Sequence, residues 1–326
     1  MRIRFPGLVD LQVNGFGGVD FNTAALRADQ VRGMLPAIRA TGVTRFLPTL
    51  ITGPLERFEV CARVLNEVAD PSIAGIHMEG PYISPLDGPR GAHAREHCTT
   101  ASLDDFSRRQ EAAGGRIVLV TLAPEVPGTI PLTEFLVQNG VRVAIGHTNA
   151  PPEMVRDAIR AGATLSTHLG NGCAATLPRH PNMIWEQLAS DELWTSMIAD
   201  GHHLPASVVK VIARVKSPRR AILITDAMAA AGCPSGSYRI GDVEVDVGAD
   251  RRASLRGTPF LAGSTLTMVE AIANTVQFTG FSIEDVIDMA STVPAEYLGV
   301  PLAGTVTADW DAEAVRLEIR SVEGDV

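Results

Sequence analysis

Apolar residues in this chain fall into short, nearly unbroken runs separated by longer segments of mixed character. Runs rich in Val, Ile, Leu and Thr cover 8–14, 44–50, 73–79, 116–122, 142–147, 164–168, 195–199 and 221–225. Consecutive apolar positions suit a strand covered on both faces, as in a parallel sheet, better than a strand with one wet face. Between the runs lie segments with helical spacing, at 29–40, 54–69, 102–113, 131–139, 151–161, 180–190 and 204–215. Several end on a glycine (Gly42, Gly114, Gly140, Gly162), where a left-handed residue closes a helix. Eight successive strand–helix units predict an α/β fold, a parallel (β/α)8 barrel of the TIM type, over residues 6–303.

Two stretches have a different rhythm. Residues 237–257 alternate apolar and polar positions and predict a β-hairpin inserted after the eighth strand. Residues 314–322 alternate in the same way, and 2–5 are expected to pair with them. The segments 1–5 and 304–326 would then form a reduced small β accessory domain.

Chemistry in such a barrel collects at the C-terminal ends of the strands. Those positions carry Gln12 and Asn14 on the first strand, His77 and Glu79 on the third, and His147 on the fifth. The sixth brings His168 and Asn171, the seventh Asp200 and His203, and the eighth Asp226. Glu79, His147 and His168 supply one carboxylate and two imidazoles, a donor set for a divalent ion that keeps a position open. An ionised carboxylate at the end of an apolar strand is costly to bury alone, and a cation relieves that cost. Asp226 is the acid left over. It suits proton transfer, with a helix N-cap before "AMAAAG" as the bland alternative. His77 shares a strand face with Glu79 and is expected in a supporting or core role; His97 and His180 read as loop residues.

Charge and composition narrow the partners. The net charge is −9, with no basic run, which argues against nucleic acid and anionic membranes. Of 28 Lys and Arg residues, only Lys210 and Lys216 are lysines. No apolar stretch reaches the roughly 18 residues of a membrane span. The start, "MRIRFPGLVD", lacks a secretory signal pattern, so a cytoplasmic protein is expected. Cys61, Cys98, Cys173 and Cys233 show no CxxC spacing, and free thiols are expected.

The strand-end residues stand in blocks reading "PGLVDLQVNG", "HMEGPYIS", "GAH", "TLAPE", "IGHTNA", "THLGN", "ADGHH", "LITDA" and "LAGSTLTM". In this order and spacing, over nearly the whole chain, they resemble the N-acetylglucosamine-6-phosphate deacetylases of the amidohydrolase superfamily. The resemblance implies a distorted (β/α)8 barrel with a small β-domain, usually a homodimer. It implies metal-dependent deacetylation of N-acetylglucosamine 6-phosphate, or a related N-acyl amino sugar phosphate, to the amino sugar phosphate and acetate. Glu79, His147 and His168 would be the metal ligands and Asp226 the catalytic acid/base, with His93 helping at the attacked carbonyl. Gln12, Ala92, His93, Asn171, Gly172, Arg179, His203 and the backbone of Leu261, Ala262 and Gly263 would line the sugar site. In the family a phosphate-gripping residue reaches in from the neighbouring subunit, and Arg179 is the expected traveller. Zinc is the first expectation for the ion, iron the alternative.

Departures from the family pattern refine this. Many amidohydrolases carry His-x-His at the end of the first strand and bind two ions. Here Gln12 and Asn14 occupy those places, and neutral amides are poor ligands for zinc-like ions. Both lysines fall in the helix after strand seven, away from any bridging position, so one divalent ion per chain is expected. Family members carry several dozen residues before the "PGxxDxQ" block; this chain carries five. "NGC" replaces the usual "NAM" after His168, and "LDGP" interrupts the loop between Glu79 and His93, so these blocks do not fix the acyl sugar. Two alternatives stand beside the deacetylase: another C–N hydrolase or deaminase of the same superfamily, and a catalytically silent sugar-binding homologue.

Overall fold

The computed structural model describes residues 1–324. Eight strands form the barrel: Leu8–Val13 (β1), Val43–Ile51 (β2), Ile76–Glu79 (β3), Ile117–Leu122 (β4), Arg142–Ile145 (β5), Leu165–Ser166 (β6), Trp194–Met197 (β7) and Ala221–Leu223 (β8). They lie side by side in sequence order, each parallel to the next. No ladder joins β8 to β1 among the described residues. A single parallel bridge, Val13 with Ala227, spans that seam and nearly closes the barrel. All six residues of β1 and all four of β3 are buried, as the unbroken apolar runs require. The β1–β2 register shifts twice, between Leu8 and Val9 and again between Asp10 and Val13. Such bulges re-aim side chains next to sites, and here they turn Gln12 and Asn14 towards the barrel mouth.

Seven helices occupy the segments with helical spacing: Ala28–Arg39, Leu55–Val68, Leu103–Ala112, Thr129–Gln138, Pro152–Arg160, Met183–Ala189 and Ala206–Lys216. The sixth is shorter than the expected 180–190 because Asn182 caps it, its side chain accepting from the amides of Ile184 and Trp185. Buried Lys216 at the end of Ala206–Lys216 donates to the carbonyls of Gln187, Ser190 and Leu193. It thus satisfies acceptors that Met183–Ala189 and the following turn would leave unpaired. Three further helices, Met268–Thr279, Ile283–Asp288 and Thr292–Leu298, complete the outer layer. The first opens on a Thr-x-x-Glu capping box, Thr267 with Glu270, which the reading of apolar periodicity passed over.

The small sheets differ from expectation in detail. Arg2–Pro6 pairs antiparallel with Thr305–Asp311, which pairs in turn with Arg316–Glu323. The terminal segment 2–5 therefore does not pair with 314–322; a middle strand intervenes. Its alternation was visible as buried Val306, Ala308 and Trp310, but its acids disguised it. Once 305–311 turns back tightly on 316–323, the two must be neighbours. The insertion after β8 is a three-stranded antiparallel sheet, Gly236–Ile240, Val243–Val247 and Ala253–Leu255, rather than a two-stranded hairpin. It has its own small apolar core, in which Ile240, Val245, Val247 and Ala253 meet Met228, Ala230 and Ala262.

Candidate active site

The barrel strands stop where the chemistry begins. β5 ends at Ile145 and β6 at Ser166, short of the expected 147 and 168. His147, His168 and Asp226 adopt φ of 50°, 29° and 51°. Left-handed backbone at residues other than glycine is uncommon and costs energy. Here it turns the three side chains off the strand walls and into the barrel mouth, next to Glu79 at the end of β3.

The donor atoms of Glu79, His147 and His168 all lie within 4.8 Å of one another. His147 Nε2 stands 3.2 Å and His168 Nε2 3.0 Å from Glu79 Oε1. The second ring nitrogen of His147 faces the Pro89 carbonyl at 2.9 Å. A carbonyl only accepts, so Nδ1 carries the proton and Nε2 is left as a lone pair aimed at the cluster, the form a metal ligand needs. When protonated on Nε2, His147 and His168 hydrogen-bond Glu79, and these bonds with the charge of His147 hold its carboxyl well below the usual range in spite of burial. The donor set thus fits a divalent ion. Gly172 permits the crowding: a Cβ there would lie 2.9 Å from His147 Nδ1.

Asp226 sits beside this cluster. Its Oδ1 accepts from Asn14 Nδ2 at 2.7 Å and from Gln12 Nε2 at 3.1 Å, and the same Gln12 nitrogen donates to Glu79 Oε1 at 2.8 Å. Burial, then repulsion from Glu79, pushes the Asp226 carboxyl up to about 6, against the hydrogen bond from Asn14. The residue before it, Thr225, is fixed by buried Asp10, whose carboxylate accepts from the Thr225 hydroxyl at 2.5 Å and from the amides of Thr225 and Gln12. Asp226 caps no helix: Ala227 is an isolated bridge and a turn begins at Ala229.

His93 Nδ1 lies 2.8 Å from the Thr52 hydroxyl, and its Nε2 3.8 Å from Glu79 Oε2. Burial above all lowers the His93 imidazole to about 3, so it is neutral. His203 donates Nδ1–H to Asp200 Oδ2 at 2.6 Å. That bond keeps the Asp200 carboxyl low in spite of burial. His77 is fully enclosed: Nδ1–H faces the Leu11 carbonyl at 3.2 Å and Nε2 the Thr121 hydroxyl at 2.8 Å. Both nitrogens are occupied, which suits the supporting role read for it.

A pocket of about 320 Å³ opens above these groups. Its lining includes Ala92, His93, Asn171, Gly172, His203 and the segment Leu261–Gly263, together with Glu79, His147, His168 and Asp226. Gln12 lies beneath this surface, buried, and touches it through Glu79 and Asp226. Ser264 bridges to Ala227, and its amide donates to the Asp226 carbonyl, which holds 261–263 against the acid. Arg179 is not brought into its own chain's pocket; it is exposed on the loop before Met183–Ala189. The lining also contains residues that sequence reasoning missed: Cys173, Arg252 and Phe260. Cys173 was marked by the "NGC" departure. The other two had no signal, since nothing in the alternation of 237–257 says that the insertion folds back over the mouth.

The chain matches the amidohydrolase family over residues 3–323. It is 34% identical to the N-acetylglucosamine-6-phosphate deacetylase of Bacillus subtilis (strain 168), with 96% of this chain and 80% of that one covered. It is 33% identical to the N-acetylgalactosamine-6-phosphate deacetylase of Shewanella sp. (strain ANA-3), covering 93% and 77%. The structure of a variant N-acetyl-D-glucosamine-6-phosphate deacetylase from Mycobacterium smegmatis in complex with N-acetyl-D-glucosamine-6-phosphate superposes with a TM-score of 0.90 at 32% identity, covering 99% and 86%. These matches run through the barrel and both small sheets, and the chain accordingly belongs to the amidohydrolase family, on the branch that holds these amino sugar phosphate deacetylases.

Proposed function

We propose that this protein removes the acetyl group from an N-acetyl amino sugar 6-phosphate, with N-acetylglucosamine 6-phosphate the first substrate. The observation that carries the reading is the Gln12 amide, which donates to both Glu79 Oε1 and Asp226 Oδ1. It fixes the ligand cluster and the proton-transfer acid side by side at the floor of one pocket. Glu79, His147 and His168 would hold one divalent ion, zinc in preference to iron. Such an ion polarises the amide carbonyl and makes water a stronger acid.

The chain's own groups supply the rest. Asp226 takes the proton of the attacking water as its oxygen bonds to the acetyl carbon. It returns a proton to the sugar nitrogen as the C–N bond breaks, since an amide anion is too basic to leave. Acetate and the free amine are the products. His93 Nδ1 meets the Thr52 hydroxyl at 2.8 Å, and that hydroxyl also lies 3.4 Å from the Glu79 carbonyl. In the tautomer that accepts at Nδ1 from Thr52, His93 carries its proton on Nε2 and can hydrogen-bond the carbonyl oxygen as it gains charge.

Incubating the purified, metal-loaded chain with N-acetylglucosamine 6-phosphate is expected to release one acetate per primary amine formed. The galactosamine epimer is the natural comparison, given the Shewanella relative. Binding without turnover would instead favour a silent sugar-binding homologue, and ammonia release from a cyclic or nucleobase amide would favour a deaminase.

The same reading places the protein in the cytoplasm, where sugar phosphates are handled and unpaired Cys61, Cys98, Cys173 and Cys233 stay as thiols; cell fractionation checks it. Among the described residues no helix is long and apolar enough to cross a membrane. It also favours a homodimer. Arg179 lies exposed outside its own pocket and, among the described residues, pairs with no carboxylate, which suits a guanidinium that reaches a neighbour's phosphate. If it does, inactive Arg179→Met and Asp226→Asn chains are expected to regain about a quarter of the parental sites on random re-pairing. Absence of rescue in a protein shown by mass-tagged chains to exchange subunits would confine the pocket to one chain.

A further inference from the structure

Asp226 stands at the seam where, among the described residues, a single bridge takes the place of a ladder. Lower on that seam the strand amides are drawn elsewhere. Val9 on β1 donates to the Ala290 carbonyl at 2.8 Å and Leu223 on β8 to the Met289 carbonyl at 2.9 Å, both in the turn between Ile283–Asp288 and Thr292–Leu298. Higher up, Asn14 and Gly15 donate to the Ala227 carbonyl at 2.7 and 3.2 Å. Between these two levels lies a buried acid, Asp10, which belongs neither to the ligand cluster nor to proton transfer. An apolar side chain would fill the seam at less cost than a carboxylate, so the bonds that Asp10 makes carry its role.

Those bonds converge on the residues around Asp226. Oδ1 of Asp10 accepts from the amides of Gln12 and Thr225, each at 3.2 Å, and Oδ2 from the Thr225 hydroxyl at 2.5 Å. The same hydroxyl accepts from the Ala227 amide at 3.2 Å. Thr225 Oγ1 therefore clips together the two neighbours of Asp226, and Asp10 holds the clip from the facing strand. Ser264 closes it from the other side: its hydroxyl donates to the Thr225 carbonyl at 2.6 Å and its amide to the Asp226 carbonyl at 2.9 Å. Asp226 needs such restraint. A residue other than glycine keeps a φ of 51° when its surroundings over-determine it.

We propose that Asp10 is a positioning residue for the reaction: through the Thr225 hydroxyl it holds Asp226 in the left-handed conformation that aims its carboxylate at the reacting water. The inference rests on the deacetylase reading above, in which Asp226 moves the proton. Misplacing a reacting group by about 1 Å can cost about 100-fold in rate, and a seam without a ladder has little else to prevent it.

The experiment measures kcat, KM, bound metal and thermal midpoint for the metal-loaded parent, Asp10→Asn, Thr225→Val and Thr225→Ser. Asp10→Asn keeps the volume but turns an N–H donor towards a hydroxyl that has a proton to donate; Thr225→Val removes the hydroxyl. Thr225→Val is expected to lower kcat about 10–100-fold while KM and bound metal stay at parental values. Asp10→Asn should lower kcat in the same sense, and Thr225→Ser, which keeps the hydroxyl, should retain most of the rate. If Asp10 acts through Asp226, the losses do not add. In an Asp226→Asn background, Asp10→Asn or Thr225→Val should leave the residual turnover unchanged. Parental kcat in both single variants, or an equal further loss in that background, overturns the inference and leaves the deacetylase reading intact. So does a loss of metal and thermal midpoint in step with kcat, which marks a purely structural acid. A parent that releases no acetate from the phosphorylated sugar overturns the reading itself.

Discussion

Asp226→Asn is expected to fold and to retain its metal while turnover falls by about a thousandfold or more. The substitution is conservative where the structure is most demanding. Asn keeps an oxygen at the position of Oδ1, where the amides of Gln12 and Asn14 donate at 3.1 and 2.7 Å. The change falls on Oδ2, which has no protein donor among the described residues and is free to face the reacting water. An amide cannot take that proton, and the amine then has no acid to leave with. Burial and Glu79 bring the parental carboxyl to about 6. A base must be ionised, so parental kcat/KM should rise with pH through an acidic limb at or below about pH 6, since a divalent ion alongside favours the carboxylate. The Asn variant should lack that limb. Steady-state kinetics with metal analysis on the same samples checks both points; more than about a tenth of parental kcat in the variant would require another base.

Glu79→Gln is expected to have the second largest effect, and on a different quantity. The side chain is 3% exposed, and its Oε1 lies 3.2 Å from His147 Nε2 and 3.0 Å from His168 Nε2. Gln keeps the volume but loses the negative charge, and its NH2 can turn a donor towards the ion. Loss of hydrogen-bonding partners around a metal site costs about 10–100-fold in affinity; loss of a charged ligand should exceed that. Dialysed parent should hold one ion per chain by elemental analysis, and Glu79→Gln much less than one. A thermal unfolding midpoint that rises on adding the ion to parent, but not to the variant, would locate the effect in binding. Full metal retention by the variant, or two tightly held ions per parental chain, would contradict the single-site reading.

The two substitutions also separate what could be read along the chain from what could not. Each strand is buried on both faces, so its apolar run is continuous in sequence, and the barrel follows from eight such runs with helices between them. A residue at the end of a run therefore lies at the barrel mouth whatever the helices do. That is why Glu79, His147, His168 and Asp226 stood out before any coordinates. The small sheets were less legible. Pairing of 2–6 with 305–311 rather than with the last strand is a choice between antiparallel partners far apart in the chain, and alternation is the same for either.

Sequence by itself determined the barrel and set Glu79, His147, His168 and Asp226 at its mouth, with the neutral amides of Gln12 and Asn14 at the end of the first strand, because these depend on strand order and residue type. Tertiary structure alone decided what those amides do: Gln12 joins Glu79 to Asp226 across 67 and 214 residues of sequence. It alone gave the left-handed turns at His147, His168 and Asp226, which packing imposes against local preference. It alone removed Arg179 from its chain's own pocket and brought Arg252 to the mouth, since the direction in which an inserted sheet folds back is set by the apolar surface it must cover, here Met228, Ala230 and Ala262, and not by the pattern within it.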